Sequence, residues 1–262
     1  MLLYVIAGVF LFPIIFVIIN SLMTIGEVTY RYGTFYNPSI IPYPISLQQY
    51  YEILFTGSGF LKKFWNSFLI ASIITILHIP VSLITGYTLA KVKFKGRVLF
   101  IILYVVVMLM PYSVTILPNY LQAKFLGIYD TYAAIVLPAV FAPQGAIIIG
   151  IFALFIDDAI LEAVSLETKS FLNVLVHIII PLLKPAIAIL VVLTFAESWN
   201  MVEQPYLLLE QEALQPLSVL FRRILDSNLN VGFAATVIYM IPVILGYLYC
   251  EDMLEKMMGI KQ

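Results

Sequence analysis

Apolar residues fall into six long runs separated by shorter polar or mixed stretches. The runs are Leu2–Met23, Phe64–Ala90, Val98–Leu117, Thr131–Phe155, Ile178–Trp199 and Val231–Cys250. An α-helix needs about 20 apolar residues to cross the hydrocarbon layer of a bilayer, so each run is long enough to span it. Pro13, Pro80, Pro111, Pro138, Pro143, Pro185 and Pro242 fall inside these runs. Proline is tolerated in membrane helices, and these positions read as kinks within spans. The pattern predicts an all-α integral membrane protein of six transmembrane helices, in one domain over residues 1–262. The first run lacks a basic leading region and is too long for a signal peptide, so it reads as a retained span.

The polar stretches between the runs set the orientation. Between spans two and three lies Lys91-Val-Lys93-Phe-Lys95-Gly-Arg97, with four positive charges in seven residues. Short, strongly basic connections stay on the cytoplasmic side, which puts both termini inside. Lys62 and Lys63 flank a helix end on the opposite side and weigh against this orientation. Trp65 and Trp199 then fall at the outer interface, a depth tryptophan prefers. The outer loop from Thr24 to Lys63 carries Tyr30, Tyr32, Tyr36, Tyr43, Tyr50 and Tyr51. These tyrosines suit either an interfacial aromatic belt or a docking surface for an external protein. A second outer loop, Asn200 to Asn230, contains Leu214–Leu225, which has the composition of a short interfacial helix.

Composition removes several function classes. The chain is 62% hydrophobic and 11% charged, with a net charge of −1. A soluble domain carries roughly a quarter charged residues. A basic footprint for nucleic acid is missing. One cysteine, Cys250, permits no disulfide within the chain. No phosphate-binding GxxxxGK[ST] loop, GxGxxG, HExxH or GxSxG is present. The two histidines, His78 and His177, are about a hundred residues apart and sit on different helices. The chain is therefore not expected to be an enzyme, to hold a metal or to carry a cofactor. Glu197 and Lys184 lie near opposite ends of span five, and no carboxylate sits at mid-span. This argues against a stand-alone proton-coupled transporter.

The segment after span four is different in kind. It runs Asp157-Asp-Ala-Ile-Leu-Glu162-Ala163-Val164-Ser-Leu166-Glu167-Thr168-Lys-Ser-Phe171 and continues to Pro181 and Pro185. Ile156, Ile160, Ala163 and Val164 recur at helical spacing, with Glu162 and Glu167 off that face. Periodicity alone allows a connector lying on the headgroups or a docking helix for a soluble partner.

The same segment resembles the signature loop of the permease subunits of ATP-binding-cassette (ABC) importers. Glu162-Ala163-Val164 fills the Glu-Ala-Ala start, Glu167 stands where Asp is usual, and Ile178, Pro181 and Pro185 follow in register. Thr168 replaces the turn glycine, and Asp157-Asp158 replaces a preceding proline. Asn66-Ser67, Gly86-Tyr87 through Ala90, Phe94, Gly96-Arg97, Met110-Pro111, Leu126-Gly127, Leu137-Pro138, Ser198-Trp199-Asn200 and Ile241-Pro242 are similar to the spans of carbohydrate-type permeases. The chain most resembles the shorter, second permease of maltose-transporter-like pairs.

This resemblance implies a type I ABC importer permease fold with a cytoplasmic coupling helix between spans four and five. It implies a subunit that pairs with a second permease and with two ATPase subunits in a bacterial cytoplasmic membrane. It also implies an extracellular solute-binding protein that delivers a sugar or oligosaccharide. Glu162, Ala163, Val164, Leu166, Glu167 and Thr168 are then the coupling contact. Tyr112, Ser113, Glu197, Trp199 and Asn200 are candidate pathway residues, with Trp199 reading more readily as an interface anchor than as a sugar platform. A non-transporting scaffold that signals through the ATPase is the alternative within the same fold.

Overall fold

The computed structural model describes residues 2–33, 42–56, 59–167, 170–221 and 229–257. Every regular element among them is helical. In chain order these are α1 (Leu2–Asn20), α2 (Ile25–Gly33), α3 (Gln48–Phe55), α4 (Phe60–Lys91), α5 (Arg97–Leu109), α6 (Tyr112–Phe125), α7 (Tyr132–Val140) and α8 (Pro143–Leu154). They continue with α9 (Asp158–Glu167), α10 (Phe171–Val174), a π-helical turn Leu175–Ile179, α11 (Ile180–Leu182), α12 (Lys184–Trp199) and α13 (Glu203–Leu208). The last two are α14 (residues 217–221) and α15 (Leu229–Met257).

Three stretches are long and apolar enough to cross a membrane unaided: Phe60–Lys91, Tyr132–Leu154 and Leu229–Glu251. Two further runs are bent pairs. Arg97–Leu109 and Tyr112–Phe125 meet at 100°, and Leu175–Leu182 meets Lys184–Trp199 at 73°. Counting each pair as one span gives five, beside the shorter apolar helix α1.

Pro13, Pro80, Pro138 and Pro242 lie inside continuous helices, whereas Pro111, Pro143 and Pro185 sit at helix boundaries, which corrects their reading as kinks within spans. Met110 precedes Pro111 and is extended, at φ −67° and ψ 125°. Steric clash with the proline ring disfavours the helical region at such a position. Pro111 is itself extended, so the third run is two helices at a sharp angle. Ala142 before Pro143 is likewise extended, and Pro143 opens α8. Near span five, Pro181 and Pro185 each lack an N–H, and the chain turns between them at Leu183.

The chain divides into two compact units. The first comprises residues 1–67 and 211–244, and the second residues 68–210 and 245–262. In the first unit, Ile53, Phe60, Leu217, Ala234 and Ala235 form a buried cluster. Asn66 Nδ2 donates to Ala213 O (2.8 Å) and Gln215 O (3.2 Å), and the Leu217 N–H donates to Ser67 Oγ (2.8 Å). Lys63 Nζ donates to Glu212 O (2.8 Å), which gives that lysine a local use. The stretch expected to be an interfacial helix is buried at Leu217 and Val219, and its residues 222–225 lie outside those described. The tyrosines of the first outer loop split. Tyr32 Oη donates to Asn20 Oδ1 (2.6 Å) and Tyr50 Oη pairs with Ser21 Oγ (2.6 Å), whereas Tyr30, Tyr43 and Tyr51 are exposed.

In the second unit, α4 lies against α8 at very short range. A Cβ added to Gly86 would sit 2.5 Å from Ala146 O and 2.8 Å from Ile149 Cβ, and Gly150 faces Gly86. A Cβ on Gly145 would overlap Ser82 Oγ and His78 Nε2. Small residues allow this approach, which is how membrane helices gain contact where lipid removes the usual hydrophobic drive. Leu83, Tyr87, Ile149, Ile179, Leu183, Ala186 and Leu190 fill the adjoining core. α5 buries none of its residues, as expected of a helix whose solvent is hydrocarbon.

Gly86→Val should lower the melting temperature of the detergent-purified protein. It forces a side chain against backbone, an overpacking cost of roughly 1–3 kcal/mol. Gly246→Ala, where a Cβ meets nothing within 4 Å, should leave the midpoint unchanged or slightly raised. Equal midpoints for the two variants would refute the close α4–α8 packing.

Candidate functional site

A cavity of about 620 Å³ opens within the second unit. Its wall is mixed, with a set of polar side chains among apolar ones. From α6 it takes Tyr112, Thr115, Asn119 and Gln122. Their spacing of three, four and three residues places all four on one face of the helix. The end of α12 adds Thr194, Glu197 and Ser198, followed by Met201 and, on α13, Gln204. Gln144, in the first turn of α8, completes the polar set. The proline breaks therefore do local work: they open helix ends between α5 and α6 and between α7 and α8, where Met110, Phe141 and Ala142 join the wall.

Gln144 Nε2 donates to the Glu197 carboxylate. Thr194 Oγ1, Tyr112 Oη and Gln204 Oε1 are buried without a hydrogen-bonding partner. Gln204 approaches the Tyr112 hydroxyl without reaching hydrogen-bond geometry. A buried polar atom left unpaired costs about 1–3 kcal/mol, so these groups favour a cavity that water or a solute enters.

Of the pathway candidates, Tyr112 and Glu197 stand on this wall. Ser113 is exposed and absent from the lining. Trp199 is fully buried and stacked on Phe195 (5.8 Å between centroids, 17° between planes), so its ring is packing inside the unit. Asn200 follows the last turn of α12, and its Nδ2 donates to Ala196 O (2.8 Å).

The segment after the fourth run forms α9. Asp157 Oδ1 accepts from the Ala159 N–H (2.9 Å) ahead of the helix. Glu162 is exposed on α9. Ala163, Val164, Leu166 and Glu167 lie on its helical backbone, and Thr168 lies outside the described residues. One side chain ties this helix to the end of α4. Lys91 Nζ donates to Ile156 O and to Asp158 Oδ1, both at 2.6 Å. The Lys91 hydrogen bond, and then its charge, hold the Asp158 carboxyl below the usual carboxylate range. Arg97 donates from Nε to Leu89 O and from a terminal nitrogen to Ala90 O, both at 2.6 Å. Two of the four charges in the basic connection thus cap carbonyls near the end of α4 and hold the start of α9.

The wall residues Thr115, Asn119, Gln122, Gln144, Thr194, Ser198 and Gln204 were missed by motif reading. A signal was present: polar residues recurring at helical spacing through 112–122 and 194–198, inside apolar runs. In the sequence Lys91 and Arg97 read as orientation charges and as part of the resemblance, and their carbonyl contacts are visible only in the fold.

No protein-family model matches the chain. It is similar to the arabinooligosaccharides transport system permease protein AraQ of Bacillus subtilis, at 27% identity over 92% of this chain and 86% of the relative. It is 26% identical to the sn-glycerol-3-phosphate transport system permease protein UgpE of Brucella abortus, over 89% and 85%. Protein LplC of Bacillus subtilis is 29% identical over 84% and 72%. In structure the chain resembles a bacterial ABC transporter involved in the import of the acidic polysaccharide alginate. The TM-score is 0.83 at 24% identity, covering 96% of this chain and 93% of that one. The fold is that of an ABC importer permease, and the sequence is similar to those of sugar-transport permeases.

Removing the lysine that ties α9 to α4 should loosen the start of α9. In hydrogen–deuterium exchange, Lys91→Met should speed exchange across residues 156–162, and Lys91→Arg should largely preserve protection. The Asp158 carboxyl is held below its unperturbed 3.8. Its pairing therefore contributes in full above that value and is lost as the pH falls below it. Protection of 156–162 should be flat from pH 5 to 8. Unchanged exchange in Lys91→Met would remove Lys91 from this role.

Proposed function

We propose that this chain is a membrane-spanning permease subunit of an ABC importer and forms half of the pathway for a sugar or oligosaccharide. The polar cavity in the second unit carries the reading. Charged and polar groups within a membrane protein gather where water or cargo passes, and the face Tyr112–Thr115–Asn119–Gln122 lies along that cavity. The similar proteins named as permeases for arabinooligosaccharides and sn-glycerol-3-phosphate support a small hydroxylated cargo.

The chain spans the membrane six times as one permease domain over residues 1–262: α1, α4, the pair α5–α6, the pair α7–α8, the pair around Leu183, and α15. Both termini are cytoplasmic, on the strength of the basic connection Lys91–Arg97. The membrane is the bacterial cytoplasmic one. α9 is the coupling helix. Its residues Glu162, Ala163, Val164, Leu166 and Glu167, with Thr168 after it, fit a cleft on a partner ATPase. A second permease completes the pathway, two ATPase subunits hydrolyse ATP, and an extracellular binding protein delivers solute.

The mechanism follows from rigid elements and hinges. ATP binding closes the ATPase pair and shifts α9 as a body. Lys91 links the start of α9 to the end of α4, so the shift reaches a 32-residue helix. The bent pairs absorb the change in angle, and the cavity alternates between the two sides. Solute and nucleotide bias the same two-state element, which is what coupling requires.

Two measurements test this. Proteoliposomes holding the full complex should take up a neutral oligosaccharide such as arabinotriose only with ATP inside. Uptake by this chain alone, driven by a proton gradient, would overturn the reading. ATP hydrolysis that ignores both binding protein and solute would favour a scaffold instead. Glu162→Lys should cut solute-stimulated hydrolysis at least tenfold while the chain still melts as the parent does. A Glu162→Lys complex that assembles and hydrolyses normally would remove α9 from the ATPase contact.

A further inference from the structure

We propose that the cavity admits uncharged, hydroxyl-rich solutes and turns away anionic ones, with Glu197 as the selecting charge. The inference rests on the cavity being the pathway. Similar permeases are named for both an arabinooligosaccharide and a phosphate ester, so resemblance alone does not choose between neutral and anionic cargo.

The wall chooses. Its hydrogen-bonding side chains are the hydroxyls of Tyr112, Thr115, Thr194 and Ser198 and the amides of Asn119, Gln122, Gln144 and Gln204. Among the described lining residues, Glu197 is the one carboxylic acid, and no lysine, arginine or histidine lines the cavity. An anion entering this space sheds water and meets no cation on this wall in exchange. Burying an unpaired charge is among the largest costs a protein site can impose. A sugar gives up hydroxyl–water bonds and regains them from neutral donors and acceptors, at little net cost.

The surroundings deepen the asymmetry. Glu203 on α13 lies within electrostatic reach of Tyr112 and adds a second negative charge near the wall. Lys124 sits on the cavity helix α6 but is not part of the wall. Its ammonium lies over the rings of Tyr120 (4.6 Å) and Tyr129 (5.0 Å). Tyr129 Oη donates to Glu210, so that corner is occupied by its own contacts. Gln144 spends its amide on the Glu197 carboxylate, which holds the charge at the break between α7 and α8. Thr194, 3% exposed, presents a hydroxyl with no protein partner one turn below Glu197. A hydroxylated solute can use both.

The cavity's charge preference can be read without knowing the solute. Ser198→Cys and, separately, Asn119→Cys are introduced into the assembled complex in liposomes. The background is Cys250→Ser, which removes the chain's one cysteine. Each complex is treated with the cationic trimethylammonium-ethyl and the anionic sulfonatoethyl methanethiosulfonate, and modification of this chain is followed by mass. The cation-to-anion rate ratio is divided by that for a free thiol in the same buffer. One carboxylate within several ångströms in a partly screened cavity should raise this ratio about tenfold. Glu197→Gln should lower it severalfold. A ratio equal to that of the free thiol at both positions, or one untouched by Glu197→Gln, would overturn the proposal while leaving the pathway intact. Failure of both reagents to reach either cysteine, while a control outside the spans, Gln48→Cys on the exposed start of α3, reacts, would instead overturn the pathway reading itself.

Discussion

In hydrocarbon a backbone carbonyl without a partner has no water to turn to, and this protein breaks its helices repeatedly. Each proline break frees carbonyls that some other group has to take. The break between α7 and α8 is sealed by His78, whose Nδ1 pairs with Val140 O at 2.8 Å while Nε2 faces Ser82 Oγ at 3.1 Å. With a carbonyl on one side, Nδ1 is the nitrogen that donates, and Nε2 pairs with the serine hydroxyl. The fully buried histidine thus spends both ring nitrogens on the fold, and its use is structural. Gly145 is what allows this pair to lie so close to α8.

The same accounting recurs where helices end. Arg97 takes Leu89 O and Ala90 O, and Lys91 takes Ile156 O. In the first unit, Asn66 takes Ala213 O and Gln215 O. Charged and amide side chains here serve first as caps for broken backbone. Function is built from what the breaks leave open. The ends of α5, α7 and α12 converge with the starts of α6 and α8 around a cavity whose polar groups gather where helix ends and a polar helix face meet. A chain of straight, unbroken spans would offer no such recess.

Sealing and opening also divide the labour between the two candidate sites. The surface helix α9 is anchored at its start by a lysine that is itself nearly buried, while the paired Asp158 carboxylate is largely exposed. Such a pair adds little global stability, because solvent screens it. Its value is positional: it fixes the angle at which α9 leaves the preceding span. The cavity depends instead on neutral hydrogen-bonding groups and one carboxylate. Under the proposed function, coupling through α9 and recognition in the cavity draw on separate residues, so each can change without the other.

By itself the sequence determined the class of protein and the places where its helices lie. Six apolar runs of spanning length leave helices as the available solution, because only they pair their backbone within the segment. It also carried the resemblance to importer permeases through Glu162-Ala163, Pro181 and Pro185, and a polar periodicity from Tyr112 to Gln122 that motif reading passed over. Tertiary structure decided the rest. Prolines at 111 and 143 look alike in a hydropathy trace. One gives a 100° turn, while across the other α7 and α8 continue as a single 23-residue span; Pro111 is itself extended, whereas Pro143 is already the first residue of α8. Trp199 has the position of an interface anchor, yet it is buried on Phe195 because the end of α12 packs inward. Glu197, two residues earlier, reaches the cavity because a helix of 3.6 residues per turn sends near neighbours to different faces. Gln144 becomes its partner only through a fold that brings α8 beside α12, and no local pattern in the chain encodes that meeting.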